Sequence, residues 1–148
     1  MGGAASVATF EGIVDGELGR GGATHIALDT PNIDRGISRI AYGISQYGAV
    51  ATLELQHTGM FANRDLSFFG AEAKGIAYGP VECECAGRKS RPMTEEIIER
   101  NIQKYIDAAL LAKKCGFGMV LVHAGHGWML HQFLSPITNT RTDKWGGP

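Results

Sequence analysis

Three runs of apolar residues, separated by helix-like segments, constrain the fold of this chain more than any other feature. The runs are Ala4–Phe10, Ala49–Gln56 and Phe117–His123, and they lack the polar alternation of a half-buried strand. Such runs are typical of strands buried on both faces of a parallel sheet. Because helices join parallel neighbours in right-handed crossovers, we predict an α/β fold in which the three strands are parallel neighbours in that order.

The segments between the runs have the spacing and end signals of helices. The first helix is predicted to open at Pro31 and to stop at Gly48. The second is predicted to start after Thr94, which can cap it, and to end at Gly116, where a left-handed residue is needed. A short helix is predicted between Trp128 and Leu134.

Two other segments are predicted to be long loops, over Glu11–Ala27 and Gln56–Pro92. Loops of that length are uncommon and are usually functional. Three parallel strands cannot close a barrel, and an open sheet leaves two exposed edges. The sequence also stops in a turn, over Lys144–Pro148. We therefore expect residues 1–148 to form one partial domain of a larger fold.

Composition excludes several classes of protein. The 148 residues include 14 basic and 15 acidic side chains, so the net charge is −1, which argues against an electrostatic nucleic-acid binder. No apolar stretch approaches the ~18 residues of a membrane helix. The three cysteines are odd in number and have no framework spacing, which suits a reduced, cytosolic chain.

Polar residues stand at the carboxyl ends of the second and third runs, where parallel α/β folds gather their ligands. Glu54 and Gln56 alternate along the second run, so both are predicted to face one side of the sheet. A carboxylate within a buried strand is costly unless it is hydrogen-bonded or paired. Glu54 is therefore predicted either to contact a ligand or to belong to a buried pair.

The third run ends in His123-Ala124-Gly125-His126. Two imidazoles at this place can form a polar clamp for a carbonyl or anionic group, or a metal site completed by His131, or simply a glycine-rich turn with satisfied side chains. Two histidines fall short of the three or four ligands that zinc takes. The residues alone leave the three interpretations open.

The stretch that begins at this pair resembles the signature of the old yellow enzyme family. The matching sequence is HAGHGWMLHQFLSP, continuing through Asn139, Arg141-Thr142-Asp143 and Trp145-Gly146-Gly147. ELQHTGM at Glu54–Met60 resembles the family's third-strand motif, and Gly2–Ala5 with Val14-Asp15 resembles its second strand and the loop after it. Members are FMN-dependent ene-reductases, including NADH:flavin oxidoreductases and 2,4-dienoyl-CoA reductases.

The resemblance implies a (β/α)8 barrel that binds FMN non-covalently, takes electrons from NADH or NADPH and reduces activated C=C bonds of small α,β-unsaturated substrates. The chain would supply about the second to fourth strands. The strands that bind the FMN phosphate would lie downstream. A 4Fe–4S motif, if there is one, would also lie downstream, because Cys83 and Cys85 do not match it.

The resemblance also assigns roles to individual residues. His123 and His126 match the catalytic pair that binds the substrate carbonyl. Glu54 stands where most members have a glutamine on the flavin pyrimidine edge, and Glu11 falls near a second flavin contact. Trp128 replaces the tyrosine that protonates the α-carbon in many members, and indole is not a usable acid.

The remaining expectations concern the loop after the signature and the state of the chain in solution. Asn139, Arg141 and Asp143 are interpreted as structural, with an Arg–Asp pair holding the turn. Exposed strand edges predict a homo-oligomer. The alternatives to an enzyme segment are an inactive barrel fragment that self-associates and a histidine-based metal-binding protein.

Overall fold

The computed structural model describes residues 3–22, 24–62, 77–85 and 88–147. The strands are β1 Ser6–Ala8, β2 Gly12–Ile13, β3 Ile26–Ala27, β4 Val50–Gln56, β5 Ala77–Gly79, β6 Cys83–Cys85, β7 Arg88–Pro92 and β8 Met119–Val122. The helices are α1 Ile33–Ser45, α2 Glu95–Lys114 and α3 Met129–Leu134, with a 3₁₀ turn at Gly59–Phe61.

The main sheet is parallel and is built around β4. β1 lies beside the first half of β4, and β8 pairs with β4 on the other side. The predicted order and direction of the three apolar runs are therefore confirmed. β2 joins beside the last residues of β4, where Gly12 pairs with Leu55, and β3 pairs with β2.

The sequence interpretation was wrong about several details of this sheet. The segment 11–27, predicted to be a loop, contains β2 and β3, which are too short to show a period. β1 and β8 are also shorter than predicted and are exposed rather than buried on both faces. Within the described residues each of these two strands pairs only with β4, so its other edge has no strand beside it.

The predicted helices are confirmed, together with the end signals of α2. Thr94 Oγ1 accepts a hydrogen bond from the backbone N–H of Ile97 at 3.3 Å, and Gly116 has φ 91°. Helices α1 and α2 pack on the face of β4 that carries Ala51, Leu53 and Leu55. By strand alternation the opposite face carries Thr52, Glu54 and Gln56, which points these side chains away from the helices.

The predicted irregular segment 56–92 is partly ordered into a second sheet. β7 is its central strand, parallel to β5 and antiparallel to β6. Residues 63–76 of the predicted loop lie outside the described part of the chain. Within the part of the chain that the structure describes, every helix is too short or too polar to cross a membrane.

Candidate functional site

The carboxyl ends of β4 and β8 meet at one edge of the main sheet. The backbone N–H of His123, the residue after β8, donates to the carbonyl of Leu55 at 3.0 Å. The carbonyl of His57, the residue after β4, accepts from the N–H of Met129 at 2.9 Å. These bonds fix the turn that carries His126 against the end of β4.

Glu54, His123 and His126 form a row of polar side chains at this edge. Glu54 Oε1 lies 3.6 Å from His123 Nδ1, and His123 Nε2 lies 3.0 Å from His126 Nδ1. The side chains of Glu54 and His123 are mostly buried, with 16% and 14% exposed. His126 has φ 56°, an uncommon value for a residue with a side chain, and such values are concentrated at functional sites. The fold thus brings together three of the four predicted site residues.

The fourth, Glu11, is turned toward a different partner. Its Oε2 lies 3.2 Å from His25 Nε2. The next residue, Gly12, lies so close to β4 that an added Cβ would stand 2.7 Å from the carbonyl oxygen of Glu54. Glu11 is therefore adjacent in chain to β2, which pairs with the end of β4, while its carboxylate contacts His25. Its role in cofactor binding stays a prediction.

Gln56 and Glu54 lie on the same face of β4, the face turned away from α1 and α2, which we call the inner face. Its side chain is fully buried, and within the described residues neither amide atom has a hydrogen-bond partner. Leaving a buried amide without partners costs roughly 1–3 kcal/mol per group. Such a residue is a candidate for contact with a group that the polypeptide itself does not supply.

A buried polar cluster below the site surrounds His57. Asp15 Oδ1 accepts hydrogen bonds at 3.0 Å from the N–H groups of Glu17 and Leu18, and Asp15 Oδ2 lies 2.9 Å from Arg100 Nε. His57 Nδ1 accepts from the N–H of Gly59 at 3.0 Å. Burial lowers the pKa of His57 to about 4, with the Asp15 charge opposing and the Arg100 charge adding to this effect. His57 is therefore neutral near pH 7.

Gln132 connects the two strand ends and was missed as a functional residue. Its Oε1 accepts from the N–H of Met60 at 3.0 Å. Its Nε2 donates to the carbonyls of Thr58 at 3.0 Å and Gly127 at 2.6 Å. One buried amide thus ties the turn after β4 to the turn that carries His126. Its place inside the apolar part of α3 was the available signal.

The loop after α3 is structural, as predicted. Arg141 Nε donates to Asp143 Oδ1 at 3.0 Å, and Arg141 Nη1 donates to the carbonyls of Pro80 and Met93. The Arg141 guanidinium lowers the pKa of the Asp143 carboxyl, mainly through its hydrogen bond. Asn139 Nδ2 donates to two backbone carbonyls, so these side chains hold the turn rather than face a ligand.

The other two residues singled out near the pair have structural contacts. His131 Nδ1 accepts from the N–H of Gly127 at 2.9 Å, which directs that nitrogen at the backbone. Among the described residues, no group of three His, Cys, Asp or Glu side chains is arranged to hold a metal ion. The ring of Trp128 packs edge-on against Phe61, with ring centres 6.1 Å apart.

Comparison with known proteins places this chain in a family. The NADH:flavin oxidoreductase / NADH oxidase family matches residues 21–148. An NADH oxidase of Thermoanaerobacter brockii is 34% identical over 134 residues, which are 90% of this chain and 20% of that protein. An NADPH dehydrogenase of Halalkalibacterium halodurans is 35% identical over 131 residues, which are 88% of this chain and 34% of that protein. The chain therefore spans only a fifth to a third of these relatives.

A solved structure agrees with these matches. A 2-naphthoyl-CoA reductase in complex with 2-naphthoyl-CoA superposes with a TM-score of 0.87 and 30% identity, over 97% of this chain and 23% of that protein. The predicted fold, part of a (β/α)8 barrel, is confirmed by this superposition and by the parallel strands alternating with helices. The chain belongs to the NADH:flavin oxidoreductase / NADH oxidase family.

Proposed function

We propose that this chain is the segment of an FMN-dependent NAD(P)H oxidoreductase that binds the activating group of an α,β-unsaturated substrate. The observation that carries the proposal is the His123–His126 pair at the carboxyl edge of a parallel sheet, where His123 Nε2 and His126 Nδ1 lie 3.0 Å apart. The names of the relatives, NADH oxidase and NADPH dehydrogenase, support the reaction class. The 2-naphthoyl-CoA reductase supports a conjugated carbonyl compound as the substrate class.

The residues on the inner face of β4 fit a flavin. The pyrimidine edge of the isoalloxazine ring presents both N–H and C=O groups. Glu54 offers acceptor oxygens, and Gln56 offers an amide donor and an acceptor that lack partners within the described residues. We propose that Glu54, assisted by Gln56, holds this edge of FMN, and that Glu11 supplies a second contact to the flavin. When bound, FMN would accept hydride from the nicotinamide and deliver it to the activated C=C bond.

The two histidines contribute by binding oxygen. An N–H donor aimed at the substrate carbonyl gains strength as that oxygen becomes enolate-like, and loss of one such donor typically costs ~10²–10³ in rate. Met129, Leu55 and Gln132 hold the two turns in place, so the two imidazole rings are oriented before the substrate binds. The indole of Trp128 cannot supply the proton for the α-carbon, so that proton comes from another residue or from water.

A chimeric enzyme tests this proposal. The 131 matched residues of the Halalkalibacterium halodurans NADPH dehydrogenase are replaced by the matching part of this chain. We expect the purified chimera to contain FMN and to reduce an enone. His123→Ala and His126→Ala should each slow alkene reduction ~10²–10³-fold, while reduction of the flavin by the nicotinamide changes little, because no enolate forms in that step.

A control variant distinguishes the loss of substrate binding by an imidazole from a general loss of structure in this region. His131→Asn removes a third imidazole of the same region but keeps a side-chain acceptor for Gly127 N–H. This variant should retain the parent rates of flavin reduction by the nicotinamide and of alkene reduction. Enone reduction at the parent rate in either His123→Ala or His126→Ala would refute the clamp. A folded chimera without FMN would refute the assignment of the β4 inner face to the flavin.

A second function, a self-associating barrel fragment without activity, is favoured by the exposure of β8. Its four residues are all apolar, and each is 38% to 52% exposed. Apolar edge strands of this kind pair readily with another chain. The two proposals differ in a direct measurement, because an inactive fragment predicts a chimera that folds but does not reduce alkenes.

A further inference from the structure

The positions of the ring protons in the Glu54–His123–His126 row determine whether the histidine pair offers a ligand a hydrogen-bond donor or an acceptor. Two neutral imidazoles have four ring nitrogens and two protons. One of these protons lies in the 3.0 Å contact between His123 Nε2 and His126 Nδ1. The second belongs to one of the two outer nitrogens, His123 Nδ1 or His126 Nε2. Its position decides whether the exposed end of the pair donates or accepts.

The carboxylate of Glu54 decides between these two positions. It faces His123 Nδ1 at 3.6 Å, which is longer than a hydrogen bond but within ion-pair range. A bare Nδ1 would direct its lone pair at a negatively charged oxygen, whereas a protonated Nδ1 directs a positive N–H at it. The tautomer of a histidine is set by the partner of its other nitrogen. Glu54 therefore favours the proton on His123 Nδ1.

We propose that Glu54 is a positioning residue that sets the tautomers of both histidines. With its proton on Nδ1, His123 has a bare Nε2, which accepts from His126 Nδ1–H. His126 Nε2 is then bare, so the neutral pair accepts a hydrogen bond at its outer end. The pair donates there only after it gains a third proton, and the Glu54 carboxylate offsets the resulting positive charge.

This inference rests on the proposed function and adds to its chemistry. A substrate oxygen that needs a donor at His126 Nε2 is bound by the form of the pair that has gained a proton. The row is then neutral as a whole, since one imidazolium balances one carboxylate. Glutamate at position 54, rather than a neutral amide, is the feature that makes this balance possible.

Imidazole ¹⁵N spectra of this chain test the assignment without any cofactor. At about pH 8 the imidazole ¹⁵N chemical shifts show which ring nitrogens carry protons. We expect protons on His123 Nδ1 and His126 Nδ1 in the parent. In Glu54→Leu we expect both rings to shift in population toward the tautomer protonated on Nε2. The ratio of the two His123 tautomers should change about tenfold, as for loss of a charge-assisted contact.

Two further variants test whether the change in tautomer comes from the Glu54 carboxylate itself. Glu11→Leu removes a carboxylate that faces a different imidazole, so it should change the spectrum of His25 and leave His123 and His126 as in the parent. Glu54→Gln retains an acceptor, and we expect it to hold His123 in the parent tautomer. If Glu54→Leu does not fold, the parent and Glu54→Gln spectra decide the question.

Two outcomes would overturn the inference. They are a parent His123 with its proton on Nε2, or a folded Glu54→Leu chain in which both histidines keep the parent tautomers. Neither result bears on the chimera experiment, in which loss of either ring is measured by turnover. A failure of the tautomer assignment is therefore distinguishable from a failure of the clamp.

Discussion

Stability of this chain should depend on pH through one buried residue, His57. Burial lowers its pKa in the fold to about 4, from an ordinary value of 6.5, so the folded state binds the proton later than the unfolded state does as pH falls. The unfolded state therefore holds more protons between these two values. By linkage, the stabilisation is fully present above about pH 6.5 and is lost as pH falls toward 4.

The magnitude follows from the shift. Each pKa unit corresponds to about 1.36 kcal/mol, so a shift of this size lowers the free energy of unfolding by about 3 kcal/mol between pH 7 and pH 4. His57→Asn removes the titration, and the Asn oxygen can still accept from the N–H of Gly59. The variant loses some packing, but that loss does not vary with pH.

Urea unfolding of parent and variant at pH 7, 6, 5 and 4, at one protein concentration, measures the effect. Titrating groups remote from His57 behave alike in both chains, so their contributions to the free energy of unfolding cancel in the difference. We expect the parent to be the more stable at pH 7. The difference in free energy of unfolding between parent and variant should then change by about 3 kcal/mol in favour of the variant between pH 7 and pH 4. A gap that stays constant over this range would show that His57 is not buried as a neutral ring.

Three further predictions concern the site and the sheet edges. Gln132→Leu should lower the free energy of unfolding by about 3 kcal/mol, because it leaves Met60 N–H and the Gly127 carbonyl without partners and removes one of the two donors to the Thr58 carbonyl. A loss below ~1 kcal/mol in urea unfolding would contradict this. The chain by itself should bind FMN weakly, since a (β/α)8 barrel takes about 250 residues and places its phosphate site after strands seven and eight; a stoichiometric yellow complex surviving gel filtration would refute this. The chain should self-associate through β8, so light scattering should show more than one copy, and Val120→Lys should shift it toward the monomer; a compact parent monomer would count against it.

Much of the architecture could be derived from local sequence. Apolar runs without alternation identified β1, β4 and β8, and helical spacing with Thr94 and Gly116 bounded α2, because these signals depend on neighbours in the chain. The position of His123 and His126 just after a strand was equally visible. The pattern of apolar residues did not reveal burial, however, since β8 has the same pattern as β4 and is exposed.

The tertiary structure decided how the site is put together. Glu54 meets His123, and Gln132 reaches backbone groups 72 and 74 residues away, only because parallel pairing brings the ends of β4 and β8 to one edge. No periodicity encodes such contacts. The sequence by itself determined which residues with useful chemistry follow the strands, and the packing of the sheet determined which of them touch, because side-chain direction and distance depend on neighbours remote in the chain.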